Sequence, residues 1–310
     1  MMNEQNKLDL TGQQLTVYPA RLEEQTNLEE LLLDDNQLSL LPATIGQLAQ
    51  LKTLSLYHNR LAALPESLWQ LRGLQTLNVS ANRLTILHDG IGQLTELRML
   101  DLGHNELTVL PATMGNLQKL RFLYLSHNHL TTLPASLQNL SQLIYLNITD
   151  NQLTAVPDWL GGLTNLIELR LYGNQLTQLP PAIGQLARLR ELHLMENQLG
   201  ALPASIGNLR SLRKLDLQDN QLHSLPQSLG SLTDLTDLNL RNNQVTALPE
   251  SVVNLKNLRF LDLRANKLMA LTVNLAELPH LEKLDLRWNR LAHKPEWLSQ
   301  LVGRGCTVFL

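Results

Sequence analysis

Apolar positions in this chain keep to a fixed spacing. From Leu97 the order is Leu97, Leu100, Leu102, an asparagine at Asn105, then Leu107, Leu110-Pro111, Met114-Gly115 and Leu117, and at Leu120 the order begins again. The asparagine recurs at Asn36, Asn59, Asn82, Asn128, Asn151, Asn174, Asn197, Asn220, Asn243, Asn266 and Asn289, with every gap 23 residues long. An uninterrupted period of this length marks an array of stacked structural repeats. Within a repeat, Leu100 and Leu102 alternate with Met99, Asp101 and Gly103, which predicts a strand buried on one face. Such strands stack in parallel. Each asparagine stands where the chain leaves its strand, and its amide is expected to satisfy backbone groups of its own turn and of the next rung.

The second half of each repeat predicts a tight turn. Proline six residues after the asparagine, as at Pro42, Pro111 and Pro203, suits the first residue of a short helix or 3₁₀ turn. Glycine four residues later, as at Gly46, Gly115 and Gly207, is expected to let the turn stop and the chain return. Strands ~4.8 Å apart against bulkier turns imply a stack curved with its strands inside. His88 and Thr272 replace the proline and are expected to loosen their turns without changing the register.

The recurring pattern L-x-x-L-x-L-x-x-N-x-L-x-x-L-P-x-x-[IL]-x-x-L resembles the leucine-rich-repeat family over essentially the whole chain. That resemblance implies an α/β solenoid, with a parallel sheet on the concave face and short helices or 3₁₀ turns on the convex one. The L-P-x-x-I-G-x-L tail, as in Leu41 to Leu48, is similar to the intracellular subgroup. This subgroup holds Ras-associated scaffolds, plant relatives of them and bacterial proteins, including injected effectors. The resemblance implies a non-enzymatic module that binds a protein partner. It leaves open the alternatives of the recognition part of a larger signalling enzyme and of an injected effector.

Repeat arrays add core layer by layer and need not split. We therefore expect one elongated domain over residues 1–310. Residues 1–27 form an imperfect opening repeat in which Gln13 replaces the asparagine, residues 28–293 are regular, and residues 294–310 are a closing cap with a last apolar strand, Cys306 to Leu310. Lys7 and Asp9 would discourage another strand from pairing with the opening edge.

Composition narrows the partner. With 25 basic and 28 acidic residues the net charge is −3, which gives no case for nucleic acid or a membrane surface. Cys306 is the only cysteine, so the chain forms no internal disulfide and lacks the paired-cysteine caps of many extracellular relatives. The opening Met1 to Lys7 has no apolar signal core. The expected location is the cytoplasm, or a host cell if the chain is delivered there as an effector. No glycine-rich phosphate loop, H-E-x-x-H or paired nucleophile is present, and no enzyme activity or cofactor is expected.

Four positions per repeat escape the leucine pattern and face the concave side: the sixth, fourth, second and first before the asparagine. They take up 52 of the 310 residues yet hold seven of the twelve aromatics, an excess that points to a binding face. The candidate partner-binding residues are Met99, Phe122, Tyr124, Tyr145, Arg170, Tyr172, Met195, Arg241, Arg264 and Arg287. For Arg170 an ion pair with Glu168 or Glu191 is the competing expectation. For Asp216, Asn239, Asp262 and Asp285 beside Arg241, Arg264 and Arg287, a solvated charge lattice is favoured over a polar recognition site. His104, His127 and Asp150 share a column with Asp101 nearby, but three rungs span ~10 Å, too wide for one ion, and no metal site is expected.

Overall fold

The computed structural model describes residues 6–310. Met1 to Gln5, the first part of the opening segment Met1 to Lys7, lie outside the described residues. The chain forms two compact units, one ending at Gln152 and the other running from Leu153 to Leu310.

In the first unit seven strands pair in chain order, all parallel: β1 Lys7–Asp9, β2 Glu30–Leu32, β3 Thr53–Ser55, β4 Thr76–Asn78, β5 Met99–Asp101, β6 Phe122–Tyr124 and β7 Tyr145–Asn147. The register puts each residue opposite the one 23 positions later, as in Met99 opposite Phe122 and Phe122 opposite Tyr145. The second unit repeats the plan: β8 Glu168–Arg170, β9 Glu191–His193, β10 Lys214–Asp216, β11 Asp237–Asn239, β12 Phe260–Asp262, β13 Lys283–Asp285 and β14 Thr307–Phe309. Only the central residue of β5 to β7 is buried, so the two flanking side chains of each strand stand outward. In the regular rungs leucines, with an occasional valine or isoleucine, close the interior, as Leu97, Leu100, Leu102 and Leu107 do at no measurable exposure.

The asparagines form the expected ladder in the opposite direction along the chain. Asn105 Nδ2 donates to Leu102 O and Gly103 O of its own turn and to Val79 O of the rung before, and its Oδ1 accepts from Leu84 N–H of that same preceding rung. The expectation of a bond to the next rung is therefore corrected. The chain leaves its strand so that the amide points back towards residues already placed. The residue before each asparagine lies in the left-handed region, φ +52° at His104 and His127 and +51° at Asp150. This conformation disfavours L side chains with the exception of Asn, Asp and Gly.

Two details of the turns also differ from expectation. Proline is the extended residue before the 3₁₀ helix, not its first residue: Pro111 has φ −69° and ψ 143°, and the helix is Ala112–Asn116. The glycine is required by close approach and not by φ. A Cβ on Gly115 would stand 2.5 Å from Ser136 O, and one on Gly207 would stand 2.3 Å from Ser228 O, so the missing side chain lets successive turns touch.

His88 does not loosen its turn. It keeps φ −70°, and its Nδ1 accepts from Gly90 N–H at 3.0 Å, a side-chain cap in place of the proline ring. Trp69 of the preceding turn is buried and stacks on His88, occupying the space that a side chain at Gly90 would fill. Thr272 does change its turn, which shortens to Leu275–Glu277 behind an Asn274 cap while β12 and β13 keep register. After β13 come α1, Leu298–Gly303, and β14, which pairs on β13, with Cys306 buried and its thiol pKa raised by burial.

Candidate functional site

Because the central leucine of each strand from β2 to β13 is locked inside, its neighbours have one place to go. All ten candidate residues lie on the outward strand face or the turn that follows it, and all are half-buried. None points into the core.

In the first unit, Met99, Phe122 and Tyr145 form one row across β5, β6 and β7. Tyr124 stands between Asp101 and Asn147 in the adjacent row, and its ring packs against Tyr145 with centroids 4.9 Å apart, tilted by 38°. Arg121 places its guanidinium 5.9 Å from the Phe122 centroid. Rings held at neighbouring rungs by an invariant register lose little freedom when a partner covers them.

Alongside runs the histidine column. The imidazoles of His104 and His127 stack face to face, 3.9 Å between centroids, and His127 Nε2 lies 3.1 Å from Asp150 Oδ2. Stacked rings direct their in-plane nitrogens in parallel and not towards a common point, so the column is a poor cation cage. Burial and the neighbouring His127 push the His104 pKa down. Burial pushes the Asp101 carboxyl up against the bond that it accepts from Gly103 N–H. The column is therefore a polar border to the aromatic row, in which burial disfavours the charged forms of His104 and Asp101.

In the second unit Arg170 is held by Glu168, with Nε 2.5 Å from Oε1, which realises the ion-pair expectation on the Glu168 side. Glu191 instead meets His193, Nε2 to Oε2 3.1 Å. Burial pushes the His193 pKa down more than that contact raises it. The ligand atoms of Glu168, Glu191 and His193 lie within 4.8 Å of one another, so this cluster, and not the histidine column, is the grouping with metal-ligand spacing among the described residues. The sequence reading missed it because the three residues are spread over two repeats. Arg170 already occupies Glu168, and His193 already occupies Glu191. Tyr172 and Met195 follow β8 and β9 on the same face.

Further along, the expected charge lattice is present only in part, among Asp262, Arg264, Asp285 and Arg287, and it is buried and not solvated at Asp285. Arg264 forks onto Asp262 and lies 3.4 Å from Asp285, while Arg287 donates to both oxygens of Asp285. Asp285 has no exposed surface. Burial alone would raise its pKa, but the Arg287 side chain and backbone N–H and the Arg264 charge together hold it below the usual range. The Arg287 guanidinium also sits 4.8 Å from the Phe309 centroid. Arg241 makes no ion pair among the described residues, since Asn239 stands where the pattern would place an aspartate.

No helix among the described residues is long and apolar enough to cross a membrane. Family models of a leucine-rich repeat region match residues 87–194 and 178–302, and a leucine-rich-repeat model matches residues 26–84. No curated protein matches the chain. Among solved structures, a leucine-rich-repeat protein of Leptospira interrogans is 33% identical, with 96% of this chain and 82% of that one covered and a TM-score of 0.88. The ectodomain of the Arabidopsis receptor kinase HAESA, in complex with an N-terminally extended IDA peptide hormone ligand, is 30% identical with a TM-score of 0.71. The match covers 86% of this chain and 48% of that one, so this chain spans about half of the ectodomain's length. An internalin of Listeria monocytogenes, 24% identical over 98% of this chain and 86% of its own with a TM-score of 0.85, shares the fold. From the repeat register, the asparagine ladder and these matches together, the chain belongs to the leucine-rich-repeat family.

Proposed function

We propose that this chain is a non-enzymatic recognition module, of scaffold type, that binds a protein partner on its concave strand face. The observation that carries this reading is the aromatic row of the first unit, with Tyr124 packed on Tyr145 at 4.9 Å on an outward face whose register is fixed by the leucines beneath. Aromatic side chains held half-exposed on a rigid support are the usual anchors of protein interfaces. Solved relatives bound to peptide ligands support the same use of the fold, while the fold alone leaves the partner's identity open. The single cysteine and the L-P-x-x-I-G-x-L tails support placement in the intracellular subgroup and in the cytoplasm.

The test is capture of partners from a cell extract by the wild type and by the Tyr124→Ala, Tyr145→Ala double variant, with far-UV circular dichroism as the folding control. The double variant should remain folded and lose specific partners. Recovery of the same proteins by both would reject the aromatic row as the site. The likeness to a receptor-kinase ectodomain supports a second reading, in which this chain is the recognition part of a larger signalling enzyme. A natural reading frame that continues beyond Leu310 into a catalytic sequence would favour the enzyme reading.

A further inference from the structure

The first unit carries an apolar stripe that the leucine pattern does not require. The fourth residue after each asparagine, or after Gln13 in the opening rung, is in succession Val17, Leu40, Ala63, Ile86 and Val109. All five are exposed, the four larger ones between 58% and 72%. Buried leucines on either side, as Leu84 and Leu87 or Leu107 and Leu110, turn inward and leave the residues between them outside. Thr132 ends the stripe in the next rung, and the same place further on holds Ala155, Gln178, Ala201 and Ser224. None of the five residues belongs to the strand face that holds Tyr124 and Tyr145.

Backbone bonds tie the rungs together beside the stripe: Arg60 N–H donates to Leu38 O, Arg83 N–H to Leu61 O and Glu106 N–H to Leu84 O, each at 2.9 Å. Residues 23 apart are therefore neighbours, and four steps of ~4.8 Å give a strip about 19 Å long. Single exposed apolar residues are ordinary, but a contiguous strip marks an interaction surface. Its two borders carry opposite charge. Arg60 and Arg83 stand three residues before Ala63 and Ile86, and Glu66 and Asp89 stand three residues after them. All four are exposed. The side chains of Arg60, Arg83 and Asp89 make no hydrogen bond or ion pair among the described residues, and Glu66 meets only His88 Nε2, at 3.9 Å.

We infer that this stripe is a contact between two copies of this chain, related by a two-fold axis that runs along it. Such an axis keeps each rung opposite the same rung of the other copy and exchanges the two borders. Arg60 then meets Glu66 of the partner subunit, and Arg83 meets Asp89 of the partner subunit, each pair formed twice, while the apolar residues cover one another. Elsewhere along the borders Glu106 faces an alanine, the counterpart of Ala112, so no like charges meet. An axis across the stripe at Ala63 would instead set Arg60 against Arg60 and Glu66 against Glu66, which like-charge repulsion disfavours. The strip is at the small end of specific interfaces, so the association is weak. It goes beyond the strand-face reading and uses none of that reading's residues.

The test is sedimentation equilibrium of the full chain in about 0.15 M salt, at concentrations up to about 1 mM, with thermal unfolding as the folding control. The wild type should show a monomer–dimer equilibrium. Leu40→Ser with Ile86→Ser, both at exposed sites, should keep the unfolding midpoint and raise the dimer dissociation constant at least about 10-fold. Arg60→Glu with Arg83→Glu, and separately Glu66→Arg with Asp89→Arg, should each weaken self-association to a similar degree. An equimolar mixture of these two charge-reversed chains should restore the dimer, because every facing pair is again of opposite sign. A wild type that stays monomeric throughout, a dimer indifferent to Leu40→Ser with Ile86→Ser or to either charge reversal, or a mixture that fails to restore it would each overturn the inference. Partner loss in Tyr124→Ala, Tyr145→Ala is scored on the other face, so the two readings fail independently.

Discussion

Removing the side-chain amide of Asn128 tests the device that closes each turn. Asn128 is buried, its Oδ1 accepts from Leu107 N–H at 3.0 Å, and its Nδ2 donates to Leu102 O at 3.0 Å and to Leu125 O and Ser126 O at 3.2 Å. The carbonyls have a second donor: Asn105 Nδ2 for Leu102 O, Asn151 Nδ2 for Leu125 O and His104 N–H for Ser126 O. Leu107 N–H does not, so Asn128→Ala leaves one fully orphaned buried donor and three weakened acceptors. An orphaned buried group costs about 1–3 kcal/mol, and the added loss of three shared bonds places the expected destabilisation near 2–3 kcal/mol. Asn128→Asp separates the two halves of the role. It keeps an acceptor for Leu107 N–H but turns a charged oxygen towards three carbonyl oxygens, so it should be worse than alanine. Urea unfolding followed by tryptophan fluorescence and circular dichroism gives the stabilities, and hydrogen exchange at Leu107 reads the orphaned amide directly. A loss below about 0.5 kcal/mol for alanine, or an aspartate variant as stable as the wild type, would refute the ladder as a source of stability.

Three further outcomes follow from the geometry. Gly115→Ala should lose about 1–3 kcal/mol because its Cβ would meet Ser136 O at 2.5 Å, whereas Gly162→Ala, with nothing within 4 Å, should be near neutral; thermal unfolding of the pair checks this. Ala265→Gly, at φ +51°, should gain up to about 1 kcal/mol by relieving a left-handed alanine, measured as a raised midpoint in calorimetry. His193 has a folded-state pKa below its ordinary 6.5, so it favours the folded chain fully above that value and loses this contribution as pH falls through 6.5 towards the folded pKa. Wild-type stability should therefore decline over that acid window more steeply than that of His193→Gln, and equal slopes in urea titrations from pH 7.5 to 5 would remove His193 from the account.

The sequence alone determined the repeat length, the strand positions, the parallel order and the outward placement of the candidate side chains. A 23-residue register repeated without insertion leaves one way to align buried leucines, and a period of two leaves one face for Phe122, Tyr124 and Tyr145. What the tertiary structure decided were relations across rungs, where residues distant in sequence come within bonding distance. It turned the Asn105 amide towards Val79 and Leu84 of the preceding rung, gave Gly115 its purpose by bringing Ser136 against it, and let Trp69 and His88 replace a proline by stacking. It also chose among partners of opposite charge, pairing Arg170 with Glu168 and Arg287 with Asp285, while Asp216 and Asp237 make no ion pair among the described residues. Periodicity fixes where a backbone goes, because burial acts on every repeat alike. Which neighbouring side chains meet depends on distances of an ångström or less, set only when the rungs are stacked.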